Sequence, residues 1–326
     1  MQSLLQRTGI ASVGWLALLV ALAVPANADS YPTKAVKILN PAPAGNGPDV
    51  IGRIIGERLT QTWGQQVVVI NRPGAGGLLA AQAAVSAERD GYTLYQPNVS
   101  SMVVLPLAQK LPFDLSRDVV PIGLLGQEPF FIAVAPSLGV NTLSELIALA
   151  KKRPGEIMYS AAVRGSMPNL TGERLRTSAA IDLTYVPYLN TAQALADIMG
   201  GRISVIVDSL ATLRGAIEGG TVKVLGVTSS SRLRNFPDVP TVAEVIPGFV
   251  ASGWFALMAP AGTPDAVVQK VGRDLRAALD EPEVQARLEG LGTFVRPLSP
   301  VQTAEFIRSE QELWSPVIRQ VGLAAK

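Results

Sequence analysis

Short strand-like runs, several of them continuously apolar, lie at 36–39, 67–70, 92–95, 130–134, 184–188, 204–208, 222–227 and 254–258. Runs that are apolar throughout, rather than alternating, predict strands covered on both faces. The stretches between them carry helical spacing and helix-start signals. Pro48 opens one helix, with Val50, Ile51, Ile54, Ile55 and Leu59 along one stripe. Thr142 with Glu145 three residues later predicts a capping box ahead of a helix over 143–152. Thr263-Pro264-Asp265 and Ser299-Pro300 predict the starts of two C-terminal helices. Strand and helix alternate along the chain, so the expected fold class is α/β: two doubly wound domains with a ligand cleft between them. A chain of this length usually exceeds one hydrophobic core. In open α/β sheets ligands bind beyond the carboxyl ends of the strands, so function is expected in the loops that leave them.

The first residues do not belong to this pattern. Residues 1–28 read as a signal peptide: Arg7 precedes an apolar stretch over 15–24, Pro25 breaks it, and Ala26-Asn27-Ala28 gives a small-x-small cleavage pattern. The apolar stretch is short for a membrane span. Cleavage after Ala28 predicts an exported protein, with the periplasm as its destination in a bacterium.

Composition then removes whole classes of chemistry. The 326 residues include no His and no Cys. That excludes Ser-His-Asp and Cys-His nucleophilic catalysis and zinc, haem or iron–sulfur ligation by those side chains. No catalytic residue, metal or cofactor is expected, and stability must come from packing without disulfides. With 28 Lys+Arg against 26 Asp+Glu the formal charge is +2, which gives no basic field for nucleic acid.

Six polar loops at strand ends are the candidate site. The first holds Ala44, Gly45, Asn46, Gly47 and Asp49 between a strand and the Pro48 helix. Its glycines let a ligand approach the backbone, and the N–H groups of the helix start attract a carboxylate. It is neither a Walker loop nor a dinucleotide fingerprint, because no Gly-Lys-Ser/Thr follows and Val50 stands where a third glycine belongs. Asp49 falls in the first turn, where it stabilises the helix dipole. The second loop, over 71–77, repeats the strand–glycine–helix pattern, as a tight turn or a binding loop. The third offers Asn98, Ser100 and Ser101. The fourth carries Ala162, Arg164, Gly165 and Ser166, with Arg164 suited to bidentate carboxylate binding or to a surface position. The fifth contributes Tyr188, Asn190 and Thr191. The sixth is Asp208, a helix cap or a cleft residue.

The chain resembles the extracytoplasmic substrate-binding receptors of the tripartite tricarboxylate transporter family, also called the Bug family. The resemblance rests on Tyr31-Pro32-x-Lys34, Pro41-x-Pro43-Ala44-Gly45-x-Gly47-x-Asp49, Asn71-Arg72-Pro73-Gly74-Ala75-Gly76-Gly77 and Asp90-Gly91-Tyr92-Thr93-Leu94. It continues through Leu111-Pro112-Phe113-Asp114, Val186-Pro187-Tyr188, Asp238-Val239-Pro240-Thr241-Val242-Ala243-Glu244 and Ala259-Pro260-Ala261-Gly262-Thr263-Pro264. It implies a type II-like periplasmic binding protein, a hinged "Venus flytrap" whose chain crosses twice between lobes. The crossings are expected near Glu128 and Gly253, giving one domain of 29–128 plus 253–326 and a second of 129–252, with the C-terminal helices on the first. It also implies capture of a small organic carboxylate by a monomer and delivery to membrane transporter subunits. A secreted hydrolase using Asp49 and Asp208, or a sensor presenting its ligand to a membrane kinase, is the alternative. The sequence departs from the family's pattern at Asn46 and Pro48 in the first loop. In the fourth it does so at Val163-Arg164, and at Asn169, where the family has His. In the fifth, Leu189-Asn190 replaces Lys-Gly.

Overall fold

The computed structural model describes residues 31–325 except Ala162 and Leu189, so the expected leader and Ala162 lie outside the described residues. In chain order the first elements are β1 (Val36–Asn40), α1 (Gly47–Trp63), β2 (Val67–Asn71), α2 (Leu78–Val85) and β3 (Thr93–Tyr95). A π-helical turn (Ser100–Val104) leads into the short helices α3 (Leu105–Ala108) and α4 (Leu115–Asp118), and then into β4 (Val119–Val134). Next come α5 (Leu143–Lys152), β5 (Met158–Ser160), α6 (Met167–Ala179), β6 (Thr184–Tyr185), α7 (Thr191–Met199), β7 (Val205–Ser209), α8 (Leu210–Glu218) and β8 (Lys223–Val227). The chain closes with β9 (Ser252–Pro260), α9 (Asp265–Leu279), α10 (Pro282–Gly290) and α11 (Pro300–Gln320).

The strands form one mixed sheet in the order β2-β1-β3-β9-β4-β7-β5-β6, with β8 also on β4. β1 pairs in parallel with β2 and β3, and β5 with β6 and β7. Those are the crossover units that β-α alternation demands. The centre differs: β4 runs antiparallel to β9 along residues 119–129 and antiparallel to β7 and β8 along 130–134. The apolar run at 130–134 is therefore buried on both faces as expected, but in antiparallel pairing. A single strand of 16 residues thus spans both halves of the sheet. Two register shifts, at Pro121/Gly123 and Leu124/Gly126, bend it. Gly126 is required there: a Cβ would lie 2.8 Å from Thr293 Cγ2 and 2.9 Å from the Phe294 carbonyl oxygen.

α1 buries Ile51, Ile54, Ile55 and Leu59 against β1, β2 and the C-terminal helices α9 and α10, as its stripe predicts. α11 begins with a capping box, Ser299 with Gln302, and lies across β4, the π-helical turn and α6. It fixes the sheet through Glu310, whose Oε2 accepts the indole N–H of both Trp254 and Trp314 at 3.1 Å.

Three local expectations change. The 184–188 run keeps only two residues as strand, since Pro187 has no N–H to donate to a ladder. Thr142 caps α5 through the Glu145 N–H, but the Glu145 carboxylate accepts from Asn141 rather than from Thr142. Thr263 does not cap α9: its hydroxyl donates to the Pro260 carbonyl, and Pro264 holds the cap position.

Candidate functional site

Beside the Glu128–Gly253 pairing of β4 with β9, a cavity of about 210 Å³ opens. Glu128, Phe130, Gly253, Trp254 and Phe255 from these two strands form part of its wall. Pro48 enters from the start of α1, Asn98, Val99 and Ser100 from the third loop, and Ser166, Met167 and Pro168 from the start of α6. Asp208 and Ser209 complete it from the end of β7, where α8 begins. Three helices of nine or more residues thus start on the cavity wall. Each presents the positive end of its dipole and N–H groups without helical partners. The aromatic rings supply an apolar wall. Such a mixture is typical of small-molecule sites.

The strand-to-helix loops are shaped by short side-chain bonds. Asp49 is 1% exposed and does not line the cavity. Its Oδ2 accepts the Gly45 N–H at 2.8 Å and Arg53 Nε at 2.9 Å, and its Oδ1 accepts Asn71 Nδ2 at 2.9 Å. Burial works against its charge, but these three donors and the guanidinium outweigh it and hold the carboxyl below its usual range. Asp49 therefore closes the first loop on itself, with Ala44, Gly45, Asn46 and Gly47 exposed around it.

The third loop brings Asn98 and Ser100 to the wall. Ser101, fully buried, instead donates its N–H and hydroxyl to Asn98 Oδ1, each at 3.1 Å, which fixes the amide. In the fourth loop Ser166 caps α6 and lines the cavity, and Gly165 donates its N–H to Asn169 Oδ1 at 2.9 Å. Asn169 thus serves as a loop clasp. Arg164 lies away from the cavity: it is exposed and its guanidinium donates to the Val321 carbonyl at the end of α11, 2.5 Å away. In the fifth loop Asn190 caps α7, and Tyr188 donates to Asp197 Oδ2. Neither lines the cavity. Thr191 reaches it indirectly, donating its hydroxyl to Asp208 Oδ2 at 2.6 Å.

Asp208 is 4% exposed and also accepts the Ser209 N–H at 2.8 Å. Burial raises its carboxyl, against the hydrogen bonds from Thr191, Ser209 and Thr212. Glu128 is a titratable residue of the cavity wall that sequence reasoning missed. Burial pushes its carboxyl up to about 7, a hydrogen bond from Ser209 opposes this, and the neighbouring Asp208 charge adds to it. Its side chain lies over Gly253, where a Cβ would sit 3.4 Å from Glu128 Oε2. The sequence did hold a signal: an acid between Gln127 and Pro129 interrupts an otherwise apolar stretch, at a crossing point already inferred. Asp49 and Asp208, paired in the hydrolase alternative, are not brought together on this wall.

Residues 51–323 match the family model described as "Tripartite tricarboxylate transporter family receptor". Among curated relatives, Protein BugT of Bordetella pertussis (strain Tohama I) is 34% identical over 322 residues, covering 97% of this chain and 98% of BugT. Among solved structures, R. palustris Rpa4515 with adipate superposes with a TM-score of 0.76 at 29% identity, covering 90% of this chain and 99% of that one. MatC (Rpa3494) from Rhodopseudomonas palustris with bound malate gives a TM-score of 0.70 at 30% identity, covering 88% and 100%. The expected α/β binding-protein fold is thus that of solved receptors. The chain belongs to the receptor family of the tripartite tricarboxylate transporters.

Proposed function

We propose that the protein captures a small organic carboxylate in the cavity lined by β4, β9 and the starts of α1, α6 and α8, and delivers it to the membrane subunits of a tripartite tricarboxylate-type transporter. The observation that carries this is the convergence of helix starts from far-apart parts of the chain, α1, α6 and α8, on one partly aromatic cavity. Helix starts suit an anion, and two structural relatives are described with adipate and malate. The reading takes residues 29–128 and 253–326 as one lobe and 129–252 as the other, with the double strand β4/β9 between them. Capture then works by closure of the lobes, without chemical change to the ligand. It also takes residues 1–28 as a leader removed on export to the periplasm, and the receptor as a monomer.

One observation favours a second reading. Two carboxylates with raised proton affinity in a cavity are also what a carboxylate-based hydrolase uses, and here the pair is Glu128 and Asp208. A thermal-shift screen against mono- and dicarboxylates separates the two. A receptor is stabilised by about 2.7 kcal/mol at a hundredfold excess over Kd, and returns its ligand unchanged by mass spectrometry. No stabilisation by any organic acid overturns the receptor reading, and a ligand returned cleaved establishes the hydrolase.

A further inference from the structure

The cleft acids carry an inference that rests on the receptor reading and narrows its ligand. Glu128 of β4 and Asp208 of β7 both line the cavity, and among the described residues no Lys or Arg does. Among the described residues neither forms an ion pair. Asp208, more than nine-tenths buried, has only neutral donors, the hydroxyls of Thr191 and Thr212 and the Ser209 N–H. Other well-buried carboxylates of this molecule are treated differently. Asp49 has Arg53 at 2.9 Å, and Glu310 feels the charges of Arg174 and Arg296. A buried anion ordinarily requires a countercharge. Two acids side by side without one add mutual repulsion to the desolvation of each. In the cavity wall that arrangement repels a simple dianion and favours a cation.

The same wall carries the starts of α1 and α6, whose dipole ends suit a carboxylate. The start of α8 is already taken by Asp208, which accepts the Ser209 N–H. The site therefore offers complementary features for both signs of charge. We propose that the ligand is a carboxylate that also bears a cationic nitrogen, with the nitrogen against Glu128 and Asp208 and the carboxylate toward the starts of α1 and α6. Phe130, Trp254 and Phe255 would cover the carbon skeleton between them. Glu128 and Asp208 are then specificity-determining residues: they discriminate by rejecting a second negative charge as much as by attracting a positive one.

The test uses the purified protein at neutral pH and calorimetric titration with matched acids. Succinate is compared with γ-aminobutyrate and aspartate, and adipate with ε-aminocaproate. At least one nitrogen-bearing acid should bind about tenfold or more tightly than its nitrogen-free partner. Glu128→Gln, whose fold is checked by circular dichroism, should lose most of that preference and bind the diacid several-fold more tightly than wild type. Asp208→Asn should shift the preference in the same direction. A diacid that binds wild type as tightly as every nitrogen-bearing partner overturns this inference while leaving the receptor reading intact. A preference that survives unchanged in Glu128→Gln also overturns it, because the nitrogen then lies elsewhere. If no acid of either kind binds, the receptor reading fails and the inference fails with it.

Discussion

Asp49 and Asp208 are both acids at strand-to-helix turns, both almost fully buried, and they behave oppositely. Asp49 is held by one guanidinium, one amide and one backbone N–H, and its carboxyl is lowered. Asp208 has the Thr191 and Thr212 hydroxyls and a backbone N–H for donors and Glu128 for a neighbour, and its carboxyl is raised. In the first loop the charge is neutralised internally, so the acid holds the turn and has little left for a ligand. At the β7 end charge is left without a countercharge beside a cavity, so the protein tolerates an electrostatic cost there. Strain of that sort is retained where structure serves a function. Part of the difference is local, since Asp49 has Arg53 four residues on along α1, whereas Asp208, in β7, has Thr212 at that spacing. The rest is who stands opposite.

The sharpest way to break this contrast is to remove the Glu128 charge. Its carboxyl is held at about 7 against a reference of 4.5, so the native state keeps a proton that the unfolded chain releases between those values. The contribution of this group to stability is therefore most favourable below about pH 4.5 and falls as pH rises through 7, by about 3 kcal/mol. Urea denaturation across that range should show the fall in wild type and its loss in Glu128→Gln, which becomes the more stable protein at pH 8. A variant less stable than wild type at pH 8 would mean that the cleft charge is compensated after all.

Asp49→Ala is the opposite case. It removes the acceptor of three donors, two of them on the first loop or its neighbouring strand, and should cost about 2–3 kcal/mol. Because the Asp49 carboxyl is lowered in the folded state, its contribution is present above the usual carboxylate range and disappears as pH falls. The wild-type advantage over Asp49→Ala should therefore narrow in acid, while the advantage of Glu128→Gln over wild type narrows in acid for the opposite reason. An Asp49→Ala protein of wild-type stability at neutral pH would overturn the closed-loop assignment.

Asp208→Asn should have a smaller effect than either. It removes the like charge that helps raise Glu128 while keeping an oxygen acceptor for Thr191, and about 1 kcal/mol of net stabilisation above pH 7 is expected. Titration of Glu128 followed by carboxyl NMR should move toward the ordinary range. An unshifted Glu128 would show that burial alone sets its value.

Arg164→Ala should have the smallest effect. The side chain is exposed and donates to the Val321 carbonyl at the end of α11, so the loss should stay below about 1 kcal/mol, with ligand affinity unchanged. A tenfold loss of affinity in calorimetry would return Arg164 to the cleft.

Much of this protein was legible in its sequence because the information is local. The apolar runs marked the strands, most cleanly β4 and β9, which are buried along most or all of their length, while β2 and β8 are only partly covered and the 184–188 run gives a strand of two residues. Pro48 and Ser299-Pro300 marked helix starts, since the missing N–H of proline is no loss in the first turn. The absence of His and Cys excluded whole chemistries, and the order of the small motifs carried the family. Other features depend on partners distant in the chain. That β4 runs antiparallel to β9, and so places Glu128 over Gly253, depends on pairing residues more than a hundred positions apart. That Arg164 turns to the Val321 carbonyl and leaves the cavity depends on where α11 ends. For the carboxylates the two cases divide: Asp49 meets Arg53 four residues on along one helix, which sequence already holds. That Asp208 meets Glu128 instead is set by the pairing of β7 with β4, because electrostatic compensation there is a property of neighbours in space.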